Sequence, residues 1–271
     1  MTEFDLAAIA QVGARVAREA GANLVDNRRK LEAAVSTTAF DVKVEGDLQT
    51  EMRVAKALVA ETGLAVFGEE AGWHGADPEA PPARHWIIDP LDGTMNFSRR
   101  VPFCGVSMAI VDDGLPVFGI VYDFDRDELF MGGKSLGLSI NGVPAQASTV
   151  SDPPAAILVT GFPAAFTRGE DSFTAFGRFM APWRKVRMLG SASVMLAYAA
   201  VGRVDVYIEH NGRFWDVAGG LALMLAGGGE VRVSSTDLDV PITTMAGPAG
   251  FQWPEAAYMG ADPASYRRLV W

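Results

Sequence analysis

With 271 residues, 49% of them hydrophobic, the chain is long enough to bury a large core as one or two domains. Its net charge of −10 repels nucleic acid and anionic membrane surfaces, and no apolar run approaches the roughly 20 residues that span a bilayer. The single cysteine, Cys104, excludes an intramolecular disulfide framework and reads as a small core residue in a reducing compartment, while His74, His85 and His210 are too scattered for a zinc site.

In chain order, Thr2-Glu3-Phe4-Asp5 lacks the basic start and apolar core of a signal peptide, so the cytoplasm is the expected location. Leu6, Ile9, Val12 and Val16 recur at helical spacing and predict an amphipathic helix packed on a core. A second helix is expected from Glu51 to Glu61, with Met52, Ala55, Leu58 and Val59 on one face. Short buried strands at 64–67 and 85–88 each end in acids, and Gly72 to Ala83 reads as a Gly/Pro-rich surface loop. Apolar runs at 106–111 and 115–122 flank Asp112-Asp113-Gly114, a hairpin signal, and 128–131 with the Asn141-Gly142 turn continues the antiparallel pattern. Asp152-Pro153-Pro154 marks a seam between an α+β half, 1–150, and an α/β half, 151–271. The second half alternates strands at 157–159, 184–189 and 204–208 with helices at 172–180, 193–201 and 217–226. Gly227-Gly228-Gly229 closes the last of these, and Pro241 to Trp271 carries no assignment. The fold class is α/β, built from layered sheets and helices.

The chemistry concentrates at Asp89-Pro90-Leu91-Asp92-Gly93-Thr94, where a buried run ends in two carboxylates with a backbone carbonyl between them. Such oxygen ligands suit a hard cation like Mg²⁺, and Gly93-Thr94 offers amides and a hydroxyl to a phosphate. Alone, the stretch reads equally as a strand followed by an Asp-Gly turn. Two further sites add weight: Glu69 and Glu70 after Ala65-Val66-Phe67-Gly68, and Asp216 at the head of an apolar helical segment. Separately these are a solvated loop and a helix cap; together they are acids from different elements, as metal-assisted phosphoryl chemistry requires.

These motifs resemble the inositol monophosphatase family of Mg²⁺-dependent, Li⁺-sensitive phosphatases. Gly68-Glu69-Glu70 is similar to the family's GEE element, and Trp86 to Phe97 to its W-x-x-D-P-x-D-G-T-x-N-F signature. Trp215-Asp216-Val217-Ala218-Gly219 is similar to its W-D-x-A-G signature. Thr160-Gly161-Phe162-Pro163, Arg187 to Ala192, and Glu209 ahead of Asp216 are supporting matches, so the resemblance covers nearly the whole chain. It implies an α-β-α-β-α sandwich, a homodimer and two or three Mg²⁺ ions. Glu69, Asp89 and the Leu91 carbonyl would hold one ion; Asp89, Asp92 and Asp216 would hold a second. Glu69, with Asp47 and Thr94, would orient and deprotonate the attacking water, while the Gly93 and Thr94 amides bind phosphate. Glu209 would hydrogen-bond polyol hydroxyls, with Ser191 and Ala192 lining the same wall. Trp215 reads as packing, and Arg187 as either a substrate contact or an ion pair.

Asp47 admits two registers. Asp41 to Asp47 followed by Glu51 keeps the family's acids but places Lys43-Val44 where Val-Thr is usual. Asp47-Leu48-Gln49-Thr50 keeps the threonine but puts Arg53 where an acid belongs. The first is preferred on its spacing to Glu69; a helix cap is the plain alternative for Asp47. Asn96-Phe97 favours a small polyol or sugar monophosphate such as inositol monophosphate. Fructose 1,6-bisphosphate, histidinol phosphate and 3′-phosphoadenosine 5′-phosphate are the alternative substrates within the superfamily. A binding or regulatory protein on a vestigial scaffold is the alternative of another class. A nuclease is disfavoured by the acidic charge and the lack of a basic, aromatic-interleaved stripe.

Overall fold

Helix α1 (Leu6–Asp26) begins where Asp5 accepts the Ala8 amide at 3.0 Å, an N-cap immediately before the first periodic apolar residue. The computed structural model describes residues 5–32, 34–37, 42–162 and 170–271, so Thr2, Glu3, Phe4, Asp41 and Pro163 lie outside it. A short helix α2 (Arg28–Leu31) and an antiparallel pair, β1 (Ala34–Thr37) with β2 (Val42–Val44), lead into α3 (Glu45–Thr62). That helix starts at Glu45 rather than Glu51, because Asp47 reaches back to accept the Val44 amide at 2.7 Å. It stops at Gly63, whose φ of 70° is the left-handed conformation of a C-cap.

Next come β3 (Val66–Gly68), β4 (Gly72–His74), β5 (Arg84–Asp92), the one-turn helix α4 (Thr94–Arg99) and β6 (Gly105–Asp112). Strands β7 (Leu115–Asp123), β8 (Glu128–Gly133), β9 (Gly137–Ile140) and β10 (Val143–Ala145) complete an eight-stranded sheet in the order β10-β9-β8-β7-β6-β5-β3-β4. Two expectations change here. The segment read as a loop from Gly72 opens with β4, held by Trp73 packing edge-on against Phe67 at 5.3 Å. Strand β5 also runs beyond Ile88 through Asp92, with a bulge between Asp89 and Asp92, so the acids lie within its distorted end. The expected β6–β7 hairpin forms, with Asp113 and Gly114 at φ 49° and 74°, the two left-handed residues of a tight turn.

The second half supplies β11 (Ile157–Thr160), α5 (Glu170–Met180), β12 (Lys185–Arg187), α6 (Ala192–Ala200), β13 (Val206–Gly212) and α7 (Phe214–Ala226). Then β14 (Glu230–Val233), β15 (Ile242–Gly247) and β16 (Arg267–Leu269) close a six-stranded sheet, β12-β11-β13-β15-β14-β16. Strands β15 and β16 lie within the stretch that carried no assignment.

Strand alternation sets the layers. From the first sheet, Trp86, Ile88, Met108, Ile110 and Phe118 pack with Val16 and Ala17 of α1 and Val54 and Leu58 of α3. Their neighbours Ile87, Ala109, Val111 and Val121 pack on the opposite face with Leu196 of α6 and Leu221 of α7. From the second sheet, Val159, Tyr207 and Ala246 meet that same helical pair, while Leu158, Val206, Ile208 and Met245 pack with Phe176 and Phe179 of α5. The result is an α-β-α-β-α sandwich with α6 and α7 as its middle layer. Cys104 is a buried free thiol in the first core, and burial and the nearby Asp125 carboxylate push its ionisation upward. Among the described residues, no helix is long and apolar enough to cross a membrane.

One close approach fixes α7. A Cβ on Gly219 would sit 2.7 Å from Ser107 Oγ and 3.1 Å from the Ile120 and Met108 carbonyls. Only glycine lets the helix lie this near β6 and β7, and that depth delivers Asp216 to the end of β5.

Candidate active site

Parallel pairing of β3 with β5 matches Gly68 to Ile88, so the next residue on each strand, Glu69 and Asp89, emerges side by side. Trp215 packs on Phe67 of β3 with ring centroids 5.7 Å apart, tying the first turn of α7 to the same strand end. Glu69, Asp89 and Asp216 each consequently present one carboxylate oxygen within 4.8 Å of the others.

Local bonds orient each acid. Asp89 accepts the Leu91 amide at 3.0 Å, which curls the bulge and exposes the Leu91 carbonyl to Thr94 Oγ1 at 2.9 Å. Asp216 accepts the Arg213 amide at 3.0 Å, so the capping role and a place in the cluster belong to the same residue. Asp92 stands beside the trio but faces α6. Its Oδ2 accepts the Ser193 amide at 2.7 Å and the Ser191 and Ser193 hydroxyls at 2.5 Å, and its Oδ1 accepts the Ala192 amide at 3.1 Å. Ser191 is 1% exposed, and its hydroxyl and the Ala192 amide buttress Asp92, with Ala192 itself partly exposed.

The electrostatics are those of acids gathered close together in a buried place. Burial, then the charges of Glu69, Asp92 and Asp216, push the Asp89 carboxyl well above the usual range. Burial, then Glu69 and Asp92, do the same to Asp216. Asp92 is raised by burial, against the pull of its serine donors. Two like charges about 4 Å apart repel by about 4 kcal/mol at an effective dielectric of 20. Among the described residues, arginines pair with other acids, as Arg28 does with Asp125 at 2.8 Å and Arg126 with Asp123 at 2.9 Å, and none pairs with Asp89, Asp92 or Asp216. A divalent cation relieves that repulsion, and an all-oxygen donor set with an adjacent backbone carbonyl fits Mg²⁺.

Asp47 lies at this site: it is 4% exposed, and its Oδ1 is 3.4 Å from Thr94 Oγ1 while Oδ2 caps α3. Glu51 is buried and Arg53 exposed, while Asp41, the first acid of the preferred register, lies outside the described residues. Gly93, at φ 88°, is the N-cap of α4, and a Cβ there would meet Cys104 Cβ and the Gly190 and Phe103 carbonyls at 3.1 Å. The turn therefore needs glycine to bring Thr94 and the first amides of α4 around. Glu209 accepts the Tyr207 hydroxyl, and burial pushes its carboxyl up to about 7, the Tyr207 bond opposing and the Asp92 charge adding. Arg187 is exposed and bonded to the Val186 carbonyl.

Sequence reasoning passed over two residues that shape this region, Ser193 and Tyr207, and read Asn96 only as part of a motif. Ser193 shares Asp92 with Ser191, and the serine pair at 191 and 193 just before a helical run was the available signal. Asn96 donates to the Phe103 and Leu189 carbonyls at 2.7 and 2.8 Å, tying α4 to the loop before α6. Tyr207 hid among apolar strand residues, two positions before Glu209 and so on the same strand face.

A family model described as the inositol monophosphatase family matches residues 1–256. The "Nus factor SuhB" of Salmonella typhimurium is 34% identical over 229 residues, covering 81% of this chain and 83% of the relative. An "Inositol-1-monophosphatase" of Synechocystis sp. is 36% identical over 196 residues, covering 69% and 67%. The solved inositol monophosphatase of Anabaena (Nostoc) sp. superposes with a TM-score of 0.76 at 30% identity, covering 90% of this chain and 92% of that one.

Proposed function

The chain belongs to the inositol monophosphatase family, and from that premise we propose that it is a Mg²⁺-dependent phosphatase hydrolysing the monoester of a small polyol or sugar. The observation that carries the reading is the convergence of Glu69, Asp89 and Asp216 within 4.8 Å. These acids and the Leu91 carbonyl, with Asp92 alongside, would hold two or three Mg²⁺ ions. Bound there, Mg²⁺ would offset the negative charge that builds on the phosphoryl oxygens during displacement.

The chain's own groups perform the remaining work. Thr94 Oγ1, between the Leu91 carbonyl and Asp47, orients the attacking water, and Glu69 with Asp47 takes its proton. The Gly93 and Thr94 amides, at the start of α4 where helix amides lack an intrahelical acceptor, receive the phosphate oxygens. Glu209, oriented by the Tyr207 hydroxyl, accepts a hydroxyl of the polyol, and the Tyr207 proton stays on the tyrosine oxygen. A homodimer is part of the same proposal, and sedimentation analysis tests it.

A second reading has one observation behind it. Several relatives are named Nus factor SuhB, so a regulatory role carried by the same scaffold is the competing proposal. Phosphate release from inositol 1-phosphate, fructose 1,6-bisphosphate, histidinol phosphate and 3′-phosphoadenosine 5′-phosphate, each with Mg²⁺ or EDTA, separates the two. Mg²⁺-dependent turnover with inositol 1-phosphate as the best substrate supports the polyol reading. Preference for the nucleotide contradicts it, and folded protein inert on every ester favours the regulatory reading.

A further inference from the structure

Glu69 sits in the turn joining β3 to β4, and the group that holds this turn is Glu51 of α3. The Glu51 side chain is fully buried; its Oε2 accepts the Glu70 amide at 2.7 Å and its Oε1 the Ala71 amide at 2.8 Å. His74 Nε2, from the far strand of the hairpin, lies 3.1 Å from Oε1. A carboxylate only accepts, so that nitrogen carries the proton. A Cβ on Gly68 would lie 2.2 Å from Glu51 Cδ, so the carboxylate also packs against the residue before Glu69. One acid thus grips the chain on both sides of Glu69.

A buried carboxylate is a costly way to pin a hairpin, since neutral carbonyls satisfy amides at less desolvation cost. Its placement explains the choice. Glu51 follows Asp47 by about one turn of α3, so the helix turns Asp47 toward Thr94 and Glu51 toward the Glu69 turn. A single rigid element then sets the separation of the two sides of the site.

We propose that Glu51 is a positioning residue for Glu69: by clamping residues 68–71 it fixes the Glu69 carboxylate in reach of Asp89 and Asp216 and so sets the centre's affinity for a divalent cation. This rests on Glu69 being a cation ligand. The test is Mn²⁺ binding, followed by electron paramagnetic resonance, to the full chain and to Glu51→Gln, Glu69→Ala and the double variant. Gln keeps the shape but turns an NH₂ toward one of the amide donors. Glu51→Gln should weaken Mn²⁺ binding by about 10–100-fold, the scale found for groups that support a metal ligand. The double variant should bind no more weakly than Glu69→Ala, because Glu51 acts through Glu69. Unchanged affinity in Glu51→Gln, or losses that add in the double variant, would overturn the proposal. Failure of the unaltered chain to bind Mn²⁺ would instead sink the metal reading itself. Should Glu51→Gln not fold, hydrogen exchange of the unaltered chain decides. Mg²⁺ should slow exchange of the Glu70 and Ala71 amides by about tenfold or more, and equal rates with and without Mg²⁺ would overturn the proposal.

Discussion

Asp92 and Ser193 join the two halves of the chain: Asp92 Oδ2 accepts both the Ser193 amide at 2.7 Å and its hydroxyl at 2.5 Å. Asp92 ends β5 of the first sheet, and Ser193 lies in the first turn of α6, which packs against the second. The acid so sets the start of α6 against the strand end that carries the acid cluster. Hydrogen bonds to a charged acceptor contribute about 1.5–3 kcal/mol each when buried. Ser193→Ala should therefore lower unfolding free energy in urea by about 1.5–3 kcal/mol while Mg²⁺ still binds. Loss of all Mg²⁺ binding in a folded Ser193→Ala protein would mean that this hydroxyl does more than hold Asp92.

The depth of α7 gives a second expectation. At Gly219 an added methyl meets Ser107 Oγ at 2.7 Å and two strand carbonyls at 3.1 Å, and the carbonyls, being backbone of β6 and β7, cannot swing away as a side-chain end can. Gly219→Ala should cost about 1–3 kcal/mol by overpacking and lift Asp216 from Glu69 and Asp89. Thermal unfolding checks the first effect and Mg²⁺ titration the second; a variant as stable and as tightly binding as the parent would refute the packing argument.

Tyr207 offers a test of substrate recognition. Its hydroxyl bond pulls the Glu209 carboxyl down toward about 7, against burial. In Tyr207→Phe that restraint is gone, so Glu209 is more fully protonated at neutral pH and less able to accept a substrate hydroxyl. The loss of one such bond, about 1 kcal/mol, corresponds to about a fivefold rise in KM with kcat little changed. An unchanged KM for inositol 1-phosphate would remove Tyr207 and Glu209 from substrate recognition.

His210 supplies a pH dependence away from the acids. Burial lowers its imidazole from 6.5 to about 4, the Ala257 backbone bond partly opposing. Its folded value is depressed, so the unfolded chain binds the proton first and stability falls as pH drops from 6.5 toward about 4. The loss should reach about 2 kcal/mol at pH 5 and be complete below about 4. Urea unfolding of the parent and of His210→Gln at pH 7.5 and pH 5 checks this; the gap between them should narrow by about that amount at the lower pH. A gap independent of pH would show that His210 is not buried in its neutral form.

Much of the scaffold was legible because it follows short-range rules. Asp113-Gly114 specifies a left-handed two-residue turn, and α1 shows its apolar stripe, though its cap at Asp5 went unread. The start of α3 was misplaced because a buried acid, Asp47, both caps the helix and lies at the site, so polar residues mask the helical pattern. Strand β4 escaped notice because it is short and held by Trp73 against Phe67, a contact that periodicity does not encode. The acids themselves could be found by motif. That Asp92 faces the first turn of α6 is a tertiary relationship between residues about a hundred positions apart, and no local pattern carries it.

The most direct test of the account is phosphate release from inositol 1-phosphate by the full chain and by Asp89→Asn, with and without Mg²⁺. Burial, then the charges of Glu69, Asp92 and Asp216, oppose ionisation of Asp89, so a bound cation would favour its charged form. The expected result is Mg²⁺-dependent turnover by the parent, abolished by EDTA and reduced by about 10²–10³-fold in a folded Asp89→Asn protein, the scale of a lost transition-state charge contact. Turnover that persists in EDTA, or an Asp89→Asn enzyme as active as its parent, would contradict the metal-centred mechanism.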